Sequence, residues 1–323
     1  MNMRRLVALI LAGGFALAAG GCGGGAAPLS GAVAVDGAGV LVPFAQAAAA
    51  GLTRTSPRVK VTVGSSGSAR AFQRLCAGEI DVAAAARPID PLTEAPACRR
   101  SGAQYSAIRV AGDGLVVVNN TALTASVARF GNIYCLRPEQ LKALWRSGST
   151  VTDYAQLGDQ PVHLPMPRGR VSLYGAPAGT DAFDFFTERI DGTRGDSRTD
   201  YRASSDDAVL VREILRDRRG LGYVGLAAYE AQAERLNLIA LFVGGRCVTP
   251  TADTIRDGSY RPLTRPLFLY VNTRSLAEKP QVAGFLSLAV TRAIPLAAAS
   301  KLIPLTRAQL RSSRTALDRA AGR

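Results

Sequence analysis

The chain has 323 residues, with 39 lysines and arginines against 25 aspartates and glutamates, one histidine and a net charge of +14. The arginines are scattered, with no basic stripe interleaved with aromatics, so nucleic acid is not expected as a partner. One histidine (His163), five cysteines and no Cys-x-x-Cys pair leave little material for a zinc site, and no metal or cofactor is expected.

The first segment reads as a targeting signal. Arg4 and Arg5 form a basic start, and the apolar run over 6–19 is shorter than the ~20 residues of a membrane span. Ala19-Gly20-Gly21-Cys22 then makes a small-residue cleavage site. It resembles the lipobox of bacterial lipoproteins, with Ala19 where Leu is more usual. Residues 1–22 are read as the leader, with Cys22 as lipid-carrying N-terminus; simple cleavage near Gly21 is the alternative. Residues 23–30 form a small-residue tether. The +14 less the two leader arginines is +12 for the mature chain, which retains enough residues for two lobes. Four further cysteines remain: Cys76, Cys98, Cys135 and Cys247. In an exported chain an even number favours disulfides. Of three connectivities, the local Cys76–Cys98 with the long-range Cys135–Cys247 is expected.

From residue 31 strand and helix signals alternate. A strand over 32–35, a turn over 37–40 and an Ala-rich helix over 43–52 come first. A strand over 59–63, a turn over 64–68, a helix carrying Ala69, Phe72, Leu75 and Cys76, and a strand over 80–85 follow. Strands over 105–110 and 115–118 flank a predicted Gly112-Asp113-Gly114 turn. Pro138 opens a helix with Leu141, Leu144 and Trp145 on one face. A strand over 171–174 leads through a turn at 178–180 into a helix over 181–190. Residues 204–207 cap a helix to Leu215, and 220–225 read as a tight turn into a short strand. A strand over 267–271, an apolar helix over 282–294 and a polar helix from Thr306 complete the chain.

Such alternation argues the α/β class with mostly parallel sheets, in which ligands sit beyond strand carboxyl ends, near helix N-termini. The turns at 37–40, 64–68 and 178–180 each offer free backbone amides at a positive helix end. At the second turn, Ser65, Ser66 and Ser68 serve either an anion cradle or a helix cap.

The order Asp36-Gly37…Pro43, Gly64-Ser65-Ser66-Gly67, Cys76-Ala77-Gly78-Glu79-Ile80-Asp81 and Arg87-Pro88-Ile89 resembles the phosphate-binding lipoproteins of Pst-type ABC transporters. Asp113 to Asn119, Gln140 to Trp145, Gly179 to Phe186, Gly222 to Gly225 and Tyr260 to Phe268 extend the resemblance through almost the whole mature chain. The resemblance implies a type II periplasmic-binding-protein fold, two lobes joined by two crossover strands near 115–119 and 268–271. Lobe 1 would comprise 31–114 and 268–323, lobe 2 115–267, and the lobes would close on ligand by hinge motion. It further implies a monomeric, non-enzymatic solute-binding lipoprotein that holds inorganic phosphate or a similar oxyanion. Such a protein serves ABC permease subunits, either lipid-anchored at the outer face of the cell membrane or in the periplasm. No nucleophile–base pair is visible in the sequence.

The ligand set so implied is Ser65, Ser66, Gly67, Gly179 and Thr180, with Arg87 facing the cleft or held in an ion pair. Four positions depart from the family pattern. Val40 and Leu41 stand in a turn that usually reads Gly-Ser-Ser-Thr, Ala178 replaces a Ser, and Ala86 ends a strand that usually carries Asp or Asn. An Arg found before the third turn in some members falls on Tyr174. A hydrogen bond to a charged group is worth about 1.5–3 kcal/mol. Losing about three of them compares with the ~8 kcal/mol of micromolar binding. Hydrogen phosphate also carries a proton that needs an acceptor, as sulfate does not. Tight phosphate selectivity through the usual contacts is therefore not expected. The alternative is a degenerate binding-protein fold acting as an envelope sensor or interaction protein. Asp113 and Asp181 are read as caps, Glu79-Ile80-Asp81 as a tie to the core, Trp145 as core, and His163 as incidental.

Overall fold

The computed structural model describes residues 28–121, 135–161 and 166–323. The leader, Cys22, residues 23–27 of the tether and His163 lie outside the described residues.

Lobe 1 begins with β1 (Ser30–Gly37), α1 (Val42–Thr55), β2 (Arg58–Val63), α2 (Ser68–Cys76), β3 (Val82–Ala85) and α3 (Glu94–Ser101). β1 pairs in parallel with both β2 and β3, as strand–helix–strand units with a crossover helix allow. The next strand, β4 (Tyr105–Asn120), runs for 16 residues out of this sheet into the second. The predicted turn at Gly112–Gly114 does not form. Those glycines permit close packing: a Cβ on Gly114 would lie 2.7 Å from Ile255 Cδ1, and Gly112 exchanges backbone hydrogen bonds with Ile303.

Lobe 2 holds β5 (Cys135–Leu136), α4 (Pro138–Trp145), β6 (Ser172–Gly175) and α5 (Asp181–Phe186), which runs into a wider turn over Thr187–Asp191. Then come β7 (Arg202–Ala203), α6 (Asp207–Arg216), β8 (Gly220–Gly225), α7 (Leu226–Glu230), β9 (Leu236–Val243), β10 (Arg246–Val248) and α8 (Ala252–Arg256). Residues 220–225, read as a tight turn into a short strand, are strand along their whole length: β8, buried between β4 and β6. The second crossover, β11 (Thr264–Asn272), pairs antiparallel with β4 from Thr264↔Gly114 to Asn272↔Tyr105, and the chain returns to lobe 1. There α9 (Thr273–Glu278), α10 (Pro280–Thr291), α11 (Ala293–Ala299) and α12 (Arg307–Ala320) close the fold.

Each lobe has its own apolar core. Val33, Phe44, Val110, Leu269 and Phe285 belong to one, and Val117, Trp145, Phe186, Tyr223 and Leu241 to the other. In the second, Phe186 stacks on Tyr223 at 3.8 Å between ring centroids, with Trp145 edge-on to both. Both expected disulfides form. Cys76–Cys98 joins the end of α2 to α3, and Cys135–Cys247 joins β5 to β10 across 112 residues of sequence.

Candidate functional site

The three turns meet at the mouth between the lobes. Gly37 (φ 154°) lets the end of β1 lie against β3, where a Cβ would fall 1.8 Å from the Ala84 carbonyl oxygen. The Ala38 amide donates to that same oxygen at 2.8 Å, which aims the first turn toward the second. A Cβ on Gly39 would stand 3.3 Å from Ser65 Oγ, so these two turns touch. The third turn enters through Asp181, the first residue of α5. Its Oδ1 and Oδ2 accept the Ser68 amide at 3.0 and 3.3 Å, across 113 residues of sequence and from one lobe to the other.

That contact revises the capping expectations. None of Ser65, Ser66 or Ser68 caps α2; the Asp181 carboxylate occupies its N-terminus, where aligned amides favour negative charge. Asp181 is a cap, but of a helix in the opposite lobe. Its own helix is capped by Thr180, whose Oγ1 accepts the Phe183 amide at 3.3 Å and donates to the Pro177 carbonyl at 2.8 Å. Asp113 is not a cap: its Oδ2 accepts Nε and a terminal nitrogen of Arg265 at 2.8 and 2.6 Å, a buried pair at the crossover.

The second turn is organised from beneath by Asp36, which is 2 % exposed. Its carboxylate accepts the amides of Gly37 and Ser66 at 2.8 and 3.0 Å, the Ser66 hydroxyl at 2.7 Å, and the Arg74 guanidinium. Burial alone would push this carboxyl up, but the bonds from Ser66, Arg74 and Gly37 outweigh it and hold it below its usual value. Its stabilisation is therefore present above the unfolded value of about 3.9 and is lost as pH falls through the lower folded one. Asp36→Ala strands these donors and is expected to cost about 3 kcal/mol in urea unfolding at pH 7. Equal stability of the variant at pH 7 would show that Asp36 does not hold the turn.

Several residues of the implied ligand set are thus already committed. The Ser66 hydroxyl serves Asp36, the Gly67 amide donates to the Gly37 carbonyl at 2.9 Å, and the Thr180 hydroxyl closes its own turn. Arg87 does not reach into the cleft as a free cation. It forms a two-pronged pair with Glu94 at 2.7 and 2.6 Å and lies over the Phe72 ring. Burial lowers its pKa, but the Glu94 partner more than restores it. Among the described residues, the Ser65 hydroxyl and the Gly179 amide have no hydrogen-bond partner; both residues are exposed, as is Ala178.

The departing positions are filled by packing. Leu41 is fully buried in the core of lobe 1, and Val40 packs against it. Ala86 is buried at the end of β3, its amide donating to Ser68 Oγ at 3.1 Å, so that hydroxyl ties strand to helix. β3 is buried along its whole length, with β1 on one edge and β11 on the other, and small side chains suit that slot. Tyr174 is buried too; burial and its hydrogen bond to Asp217 push its hydroxyl up to about 12.

Asp36 and Asp181 carry most of the polar structure of this site; sequence reasoning assigned Asp36 no role of its own and Asp181 a capping role without the helix it caps. The Asp-Gly step at the end of β1 is a usable signal for Asp36. For Asp181 the determining contact lies between lobes, beyond any local pattern.

Comparison with known proteins agrees with this geometry. The PBP superfamily domain profile matches residues 24–292. The chain is 34% identical over 277 residues to Protein SphX of Synechococcus elongatus, covering 84% of this chain and 77% of that one. It is 28% identical to the phosphate-binding protein PstS of Staphylococcus saprophyticus, over 84% of this chain and 81% of the other. Among solved structures, a possible phosphate binding protein from Planctomyces limnophilus superposes with a TM-score of 0.72 and 33% identity, covering 90% of this chain and 99% of that one.

Proposed function

The chain belongs to the PBP superfamily, and from that membership we propose that it is the substrate-binding lipoprotein of an ABC importer, holding phosphate or a related oxyanion between its lobes. The lobes are taken as 31–114 with 268–323, and 115–267. The protein acts outside the cytoplasm, anchored through a lipid on Cys22 or free in the periplasm, as a monomer that meets permease subunits and catalyses nothing. The named phosphate-binding relatives support this reading. The observation that carries it is the Asp181 carboxylate on the Ser68 amide: an oxyanion group already sits where three turns converge. A small free oxyanion that displaced it would meet the Ser68 amide, and in this reading the Ser65 hydroxyl and the Gly179 amide, the donors left without partners in the flanking turns, are its further contacts.

A specific observation favours a second reading, a degenerate fold that serves as an envelope sensor or interaction protein. The hydroxyls of Ser66, Ser68 and Thr180 are spent inside the protein, and the strand end at Ala86 has no carboxylate to receive a proton from hydrogen phosphate. Calorimetry with phosphate, sulfate, arsenate and molybdate separates the two. The first reading expects saturable heat with at least one anion, with Ser65→Ala weakening it several-fold, as loss of one hydrogen bond to a charge requires. Absence of heat and of thermal shift with all four anions leaves the second.

A further inference from the structure

Against the crossover strands lies a cavity of about 270 Å³ whose lining includes none of the three turns. It is lined by Arg109 of β4, Arg256 and Asp257 at the end of α8, Thr264 and Arg265 of β11, and Gln309 of α12. Two of its three arginines are satisfied. Arg265 pairs with Asp113, while Arg256 pairs with Asp253 and donates to the Pro304 carbonyl at 3.0 Å.

Arg109 differs. Among the described residues its guanidinium makes no hydrogen bond and no ion pair, and its Nε is buried without a partner. Burial lowers its pKa with no acidic group opposing, so Asp257, in the same lining, does not compensate it. Asp257 instead caps the following turn through the Ser259 amide at 2.8 Å. Arg109 is half-buried: its Nε is withdrawn from water without a partner, which is costly, while its terminal nitrogens are not buried and remain free to meet a ligand. The planar fork suits an oxyanion above other ligands.

We propose that this cavity is a second anion site, in which Arg109, with Thr264 and Gln309 as polar neighbours, binds a small free oxyanion such as phosphate or sulfate. Its walls come from both crossover strands, from α8 of lobe 2 and from α12 of lobe 1. An occupant therefore bridges the lobes at the hinge and stabilises the lobe arrangement described above over other arrangements. By linkage, hinge occupancy and cleft occupancy change each other's affinity by the same factor.

The test uses the full mature chain in a low-salt amine buffer, titrated with inorganic phosphate and separately with sulfate. Calorimetry gives stoichiometry, and thermal unfolding gives the anion-dependent shift. Arg109→Gln and Arg109→Met remove the unpaired charge, so both are expected to unfold at a higher temperature than wild type without anion. Both are expected to bind one anion fewer, or to bind it at least tenfold more weakly. If the cleft reading fails and this one holds, wild type binds one anion and the variants none. Unchanged stoichiometry, affinity and anion-dependent shift in both variants overturn the hinge site, whatever the cleft does.

Discussion

Asp181→Asn is expected to tighten oxyanion binding in the cleft by tenfold or more. The Asp181 carboxylate accepts the Ser68 amide, so an incoming anion must break a charge-assisted contact and then lie beside a displaced negative charge. Such a hydrogen bond is worth about 1.5–3 kcal/mol, and 1.4 kcal/mol is about tenfold in affinity. The neutral amide keeps the size of the side chain and removes the competing charge. Around it stand Arg87, already paired with Glu94, and Asp184, which burial and the neighbouring Asp181 push upward while Arg194 and Arg87 oppose. Calorimetry with phosphate and sulfate reads the effect. The opposite result, phosphate weakened and sulfate untouched, would make Asp181 the acceptor of the ligand's proton, in place of the carboxylate missing at Ala86.

The largest stability effect is expected from Asp191→Asn. Asp191 closes the turn after α5 and is buried, and among the described residues neither carboxylate oxygen has a hydrogen-bond partner. Burial first, and then Asp196, push its carboxyl up to about 7; Lys142, which donates to the Asp191 carbonyl at 2.7 Å, opposes them only in part. The folded protein thus keeps a proton that the unfolded chain releases near pH 3.9. Stability from this group is intact below that value and is lost as pH rises toward about 7. One pKa unit is about 1.4 kcal/mol, so the variant gains at most about 4 kcal/mol over wild type at pH 8 and little at pH 4. Urea unfolding at both pH values decides it, and an equal difference at the two would remove Asp191 as the cause.

Much of the fold was legible because its signals are local. The Ala-rich run of α1, the period of α2, Pro138 at the start of α4 and Asp206 at the start of α6 all mark elements that form as read. The misreadings share one cause. Gly112, Gly114 and the glycines of β8 look like turn residues, yet they serve close packing in strands buried by elements distant in sequence. The site divides in the same way. The turns, the exposed Ser65 and Gly179 and the apolar replacements at Val40, Leu41 and Ala86 are local facts. Which hydroxyls are already committed depends on Asp36 reaching 30 residues forward to Ser66 and Asp181 crossing between lobes to Ser68. A lone sequence carries no periodicity for contacts of that range.

The most direct test of the cleft is a crystal structure of the mature chain grown with saturating inorganic phosphate. The account predicts an anion between the lobes that accepts the Ser68 amide, the Ser65 hydroxyl and the Gly179 amide, with the Asp181 carboxylate turned away. Asp181 still on Ser68 at saturating phosphate, with no anion among the three turns, would contradict it.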